Sequence, residues 1–170
     1  MKESYNNIGV SLILPTLNEA DNLKILIPEI IDNLPKNLSK FEIIVVDDNS
    51  TDDTEKVVNK LIDINKQIRL IKRESPKSLP LSILEGIKKS IYENVLWLDA
   101  DGSMPATVVA ELIKEGIASP SSVIIGSRFV DGGGYKGTQI ENKNIFTSIR
   151  NIYQSEDSVA AVFLSKLFNT

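Results

Sequence analysis

The sequence predicts a Rossmann-like, doubly wound α/β fold with a mostly parallel sheet. Short apolar runs alternate with amphipathic stretches at helical spacing, and this strand–helix alternation repeats four times. The apolar runs do not themselves alternate between polar and apolar residues, as expected of strands covered on both faces. At 170 residues the chain is long enough to bury one substantial core as a single domain.

Taken in order, "IGVSLILP" (8–15) reads as a buried strand. "NEADNLKILIPEIIDNL" then sets Leu23, Leu26, Ile27, Ile30, Ile31 and Leu34 at helical spacing. Asn18 is its expected N-cap, with Glu19 and Asp21 in the first turn, where the helix dipole favours negative charge. "FEIIVVD" (41–47) is the second strand; "TDDTEKVVNKLIDI" is the second helix, with Val57, Val58, Leu61 and Ile62 inward. "QIRLIKR" (67–73) is the third strand. "SLPLSILEGIKKSIYE" follows as a helix with Leu84, Ile87 and Ile91 on one face, and its mid-helix Gly86 marks a close helix–sheet approach. "NVLWLD" (94–99) is the fourth strand, "PATVVAELIKEGI" a helix opened by Pro105, and "SVIIGS" (122–127) the fifth strand. The α/β core is therefore 8–127. Residues 128–144, "RFVDGGGYKGTQIENKN", form a Gly-rich polar loop. Residues 145–168 are expected as a helical tail, with Ile149, Ile152, Val159, Val162, Phe163 and Leu167 apolar and no closing strand.

Composition narrows the chemistry. The chain has no Cys, which removes disulfides, thiolate nucleophiles and sulfur-ligated zinc. It has no His, which removes imidazole bases, Ser-His-Asp triads and His-ligated metals. Carboxylates, Lys, Arg, hydroxyls and backbone remain, and a metal held by them would be Mg²⁺, Mn²⁺ or Ca²⁺. A net charge of −4 argues against nucleic-acid binding. No apolar run reaches the roughly 18 to 20 residues that span a bilayer, and the polar opening "MKESYNNIGV" is not that of a signal peptide.

In open α/β sheets, ligands bind beyond the carboxyl ends of the strands. Six aspartates fall at two such ends: Asp47, Asp48, Asp52 and Asp53 after the second strand, Asp99 and Asp101 after the fourth. Helix capping accounts for Asp52 and Asp53. It accounts less well for Asp99 and Asp101, because Ser103 already offers a cap before Met104 and Pro105. Two carboxylates this close repel, and a divalent cation relieves the conflict. Held by two side chains, Mg²⁺ or Mn²⁺ keeps positions open for phosphate oxygens and water.

"SLILPTLNEADNL", "EIIVVDDNSTDDT", "VLWLDADGSMP" and "IIGSRFVDGGG", in this order and spacing, resemble family 2 glycosyltransferases of the GT-A fold. Within that family the chain is most similar to dolichyl- or polyprenyl-phosphate mannose synthases over about residues 8–135. The resemblance implies a nucleotide-binding role for Pro15, Leu17, Glu19, Val46 and Asp48. It implies that Asp99, Ala100 and Asp101 hold a Mg²⁺ or Mn²⁺ ion and the donor diphosphate, with Ser103 a further metal contact. Arg128 matches an arginine near the phosphates and Arg150, at longer spacing, a second one that would meet an acceptor phosphate. Asp99, Asp101 and Arg128 are the implied catalytic residues. Two departures stand out. Leu17 occupies a position that often carries Tyr, and "KSLPLSILEG" replaces a Gly-rich segment while offering Lys77 to a phosphate.

The implied partners are a GDP- or UDP-hexose donor and a lipid phosphate or glycan acceptor, at the cytoplasmic face of a membrane or in the cytoplasm. The implied reaction inverts the anomeric carbon. A lipid phosphate is already anionic and needs little deprotonation, which suits a chain without His, whereas a sugar hydroxyl needs a general base. Relatives of this kind extend further, so the domain is expected to be C-terminally incomplete. Two alternatives stay open: a transferase acting on a polysaccharide or glycan, and a nucleotide-binding module without turnover.

Overall fold

The computed structural model describes residues 8–74, 76–119 and 122–126, together with the backbone of 161–165. The elements run β1 (Gly9–Thr16), α1 (Ala20–Asn33), β2 (Lys40–Asp47), α2 (Thr54–Ile64), β3 (Ile68–Lys72), α3 (Leu79–Lys89), β4 (Asn94–Leu98), α4 (Ala106–Ala118), β5 (Val123–Gly126) and β6 (Ala161–Ser165). They build one sheet in the order β3-β2-β1-β4-β6-β5. β1 pairs in parallel with β2 and β4, β2 pairs in parallel with β3, and β6 lies antiparallel between β4 and β5. The mostly parallel doubly wound sheet expected from the sequence is what forms. Among the described residues, no helix is long and apolar enough to cross a membrane.

The central strands are buried because both faces are covered. On one face Leu12, Leu14, Ile43, Val45, Leu96 and Leu98 meet Leu23, Ile27 and Ile30 of α1, Val58 of α2, and Val109 and Ile113 of α4. On the other face Ile13, Ile44, Val46 and Val95 pack with Ile71, Ile87 and Trp97. That second layer is thin, and α3 covers it by coming close. Its buried residues are Ser82 and Gly86, and a Cβ on Gly86 would collide with the Ile13 side chain. The expected inward face of α3 is corrected here: Leu84 and Ile91 are 44% and 65% exposed, and only Ile87 of the three turns toward the sheet. Small residues set the packing distance, so the leucines of this helix point outward.

Local starts and ends also depart from expectation. Asn18 does not cap α1; it has a left-handed backbone (φ 59°), and the N-cap position belongs to Glu19. Ser103 does not cap α4, whose N-cap residue is Pro105. The expected helical tail is, over Ala161–Ser165, a strand that fills the slot between β4 and β5. A closing strand therefore does exist, and the remainder of 145–168 lies outside the described residues. A five-residue apolar run such as "AVFLS" carries no period that tells strand from helix.

Candidate functional site

The strand order reverses direction between β1 and β4, and a cleft of about 410 Å³ opens at their carboxyl ends. Seven residues expected from sequence line it: Pro15, Leu17, Glu19, Asp48, Asp99, Ala100 and Asp101. Thr16 and the start of α3 complete the wall, with Lys77, Ser78, Leu79 and Ser82. Pro15 stands past the last β1–β4 pair, Ile13 with Trp97, where a missing N–H breaks no ladder bond on that side.

The β1–α1 and β2–α2 loops are laced together beside this cleft. The Asn18 side-chain oxygen accepts the Thr51 N–H at 2.8 Å, and the Asn18 N–H donates to the Ser50 hydroxyl at 2.8 Å. Both turns use a left-handed asparagine, Asn18 and Asn49, a conformation asparagine tolerates better than most residues. Ser50 is in turn held by Asp47, which accepts from its N–H at 3.0 Å and from its hydroxyl. The start of α1 is capped from outside itself: Glu19 N–H donates to Thr54 Oγ1 at 3.1 Å, and Ala20 N–H to Asp52 Oδ2 at 3.2 Å. The other oxygen of Asp52 accepts the Thr54 N–H at 3.0 Å. Burial pushes the Asp52 carboxyl upward, but the bonds from Thr54 and Ala20 together outweigh it and hold its pKa below the ordinary 3.8. The capping role expected of Asp52 is thus extended to two helices. Asp53 occupies the N-cap position of α2 without a side-chain cap bond.

Asp48, at the end of β2, is buried, and both its oxygens have protein partners. Oδ1 pairs with Arg73 Nη1, and Oδ2 accepts the N–H of Ser78. Arg73 reaches further, to Ser82 Oγ at 3.0 Å, Ser78 O at 3.3 Å and Pro76 O at 3.2 Å.

Asp99 and Asp101 flank the opposite side, in a turn that passes through Gly102 at φ 72°. Asp101 Oδ1 accepts the Ser103 N–H at 2.8 Å, so this carboxylate does serve its own turn, contrary to the expectation that Ser103 made it unnecessary. The donor chemistry still fits a hard divalent cation: two carboxylates line one cleft, with oxygen the only side-chain donor in the pair. Among the described residues no group of three or more acidic side chains could hold a metal unaided. A cation here would draw its remaining oxygens from a bound phosphate group and water.

Two expected site residues sit apart. Val46 is fully buried against Ile13, Ile44 and Val95 and does not line the cleft; Ser103 is exposed and outside the lining. Arg128 and Arg150 lie outside the described residues. Sequence reading missed Arg73, Ser78 and Ser82. The available signal was position: Arg73 ends the third strand run beside the second strand's aspartates, and Ser78 precedes Leu79-Pro80, a typical N-cap pattern.

The family model for glycosyl transferase family 2 matches residues 11–167. A dolichol-phosphate mannosyltransferase of Pyrococcus furiosus is 38% identical over 124 residues, covering 73% of this chain and 34% of that protein. The poly(ribitol-phosphate) beta-N-acetylglucosaminyltransferase TarP of Staphylococcus aureus is 31% identical over 127 residues, covering 74% of this chain and 38% of that protein. Among solved structures, the mannosyltransferase PcManGT from Pyrobaculum calidifontis, in complex with GDP-Man and Mn²⁺, superposes with a TM-score of 0.58 at 24% identity, over 67% of this chain and 34% of that one. S. aureus TarS 1–349 superposes with a TM-score of 0.66 at 20% identity, over 93% of this chain and 47% of that one. At such identities the two structures speak for a shared GT-A fold. The chain spans 34% and 38% of the length of the two curated relatives named above. With motifs, sheet order and a family match over 11–167 in agreement, the chain belongs to glycosyl transferase family 2.

Proposed function

We propose that the chain carries the donor site of an inverting hexosyltransferase that moves mannose or glucose from a nucleotide diphosphate to a polyprenyl or dolichyl phosphate. The observation that carries this reading is the meeting of Pro15, Leu17, Glu19, Asp48, Asp99, Ala100 and Asp101 in one cleft at the switch point of the sheet. The lipid-phosphate acceptor is supported by the relatives named dolichol-phosphate mannosyltransferase.

In this reading the Pro15–Glu19 loop and the wall at Ser78 receive the nucleoside, while Asp99 and Asp101 face its diphosphate. Those two carboxylates would hold a Mg²⁺ or Mn²⁺ ion, which when bound would supply charge neutralisation for a departing diphosphate. Lys77, on the cleft wall, adds a cation that can approach a phosphate oxygen. Arg128 orients the donor or acceptor phosphate, and Arg150 assists with the acceptor. Because the acceptor oxygen is already anionic, its attack on the anomeric carbon needs no histidine base, and the chain has none. Such a reaction would take place at the cytoplasmic face of a membrane.

A second reading, transfer to a glycan or a polyol-phosphate polymer, is favoured by the similarity to TarP. Incubating the protein with GDP-mannose, UDP-glucose or UDP-N-acetylglucosamine, Mn²⁺ and a short polyprenyl phosphate separates the possibilities. Formation of a glycosylated lipid phosphate is expected. Product only with a polymer acceptor would select the second reading, and nucleotide binding without any product would leave a binding module.

A further inference from the structure

The wall of the cleft formed by residues 76–82 is held in place by a buried ion pair. Asp48 is 5% exposed, and each of its oxygens is already engaged, Oδ1 by Arg73 and Oδ2 by the Ser78 N–H. The Arg73 side chain is 12% exposed, and its guanidinium also binds Pro76 O, Ser78 O and Ser82 Oγ. Ser82 is 1% exposed and donates its own hydroxyl hydrogen to Ser78 O at 3.1 Å. One planar cation thus ties the end of β2 to three residues of the segment that opens α3. Of these residues Asp48, Ser78 and Ser82 line the cleft, whereas Arg73 does not. α3 has only a small apolar grip of its own, meeting the sheet through the buried Ser82 and Gly86 and the partly buried Ile87.

We propose that Arg73 is a positioning residue for nucleotide binding, which holds this wall of the cleft through its pair with Asp48. This rests on reading the cleft as the donor site. A lysine at 73 could still neutralise Asp48, but a single ammonium cannot span Asp48, Pro76 O and Ser82 together as the guanidinium fork does. Stability and wall position therefore separate in one substitution.

The test uses the full chain with GDP or UDP and Mn²⁺ in calorimetry, alongside amide hydrogen exchange and thermal melting. Arg73→Lys should melt close to the parent protein, exchange faster at Ser78 and Ser82, and bind nucleotide on the order of tenfold more weakly. The paired variant Arg73→Met with Asp48→Asn, which leaves no buried charge unpaired, should show the same faster exchange at Ser78 and Ser82. Unchanged affinity with faster exchange would overturn the positioning role, and unchanged exchange in both variants would overturn the clamp itself. Absence of nucleotide binding by the parent protein would overturn the donor-site reading and this role with it, and the exchange data would still decide whether the clamp holds the wall.

Discussion

Replacing Asp52 with alanine should cost about 1–2 kcal/mol, because this one side chain caps the starts of two helices. Three bonds are lost: Thr54 N–H at 3.0 Å, Thr54 Oγ1 at 2.5 Å and Ala20 N–H at 3.2 Å. The loss stays well short of the cost of stripping a buried carboxylate, since Asp52 faces solvent and water takes over part of its role. For a chain of this size it corresponds to a fall in melting temperature of roughly 3–6 °C. Asp52→Asn keeps an oxygen for Thr54 and gives up the acceptor at Ala20, so about half the effect is expected. The pH dependence has a definite sign. The folded carboxyl titrates below its ordinary 3.8, so its contribution is complete above that value and is lost as pH falls through the lower folded one. Urea titrations of parent and Asp52→Ala should differ by a constant amount from pH 5 to 8 and converge below about pH 4. A gap that persists undiminished at pH 3, or that is absent at pH 7, would refute the assignment of Asp52 as a charged double cap.

Gly86→Ala gains about 1 kcal/mol in helix propensity yet should be a net loss of about 1 kcal/mol, since the new methyl meets Ile13; adding Ile13→Ala should turn the same change neutral or favourable in a double-mutant cycle by urea melts. Glu42, 2% exposed, accepts from Ser11 Oγ and Ile91 N–H through one oxygen and pairs with Arg69 through the other. Glu42→Gln, which loses only the half-exposed ion pair, should cost about 1–2 kcal/mol and Glu42→Ala about 3 kcal/mol; equal losses would show that the two halves do not act separately. Asp101→Asn should leave the melting temperature within about 2 °C of the parent and abolish the Mn²⁺ dependence of nucleotide binding; unchanged calorimetric affinity would remove Asp101 from the cation site.

How much of this molecule could be read beforehand follows from which interactions announce themselves in a linear pattern. Strands buried on both faces must be long apolar runs, so β1, β2 and β4 were legible, as were α1 and α2, whose inward residues keep helical spacing. β6 was not, because five residues are too few to show a period and its place depends on a slot made by distant strands. α3 inverted the usual rule: its buried residues are Ser82 and Gly86, so Leu84, expected to face inward with Ile87 and Ile91, is in fact exposed, as is Ile91. The aspartates of the cleft were legible because strand ends are where such sheets place ligands, but Arg73 was not, since an arginine ending a strand ordinarily reads as solvated.

These failures of pattern are not scattered evenly. Asn18 in a left-handed turn, Asp48 buried with its counter-ion, and a helix packed through its smallest residues all lie along the cleft or hold its walls. Each departs from what would suit that segment alone. A left-handed asparagine adds local strain, and a buried ion pair gives little net stability over an apolar pair. A glycine within a helix forfeits propensity. What the three gain in common is position: Asn18 sets the β1–α1 loop, Arg73 and Asp48 set the opening of α3, and Gly86 sets the distance of α3 from the sheet. Local rules give way where the backbone must hold a concave surface open at the switch point.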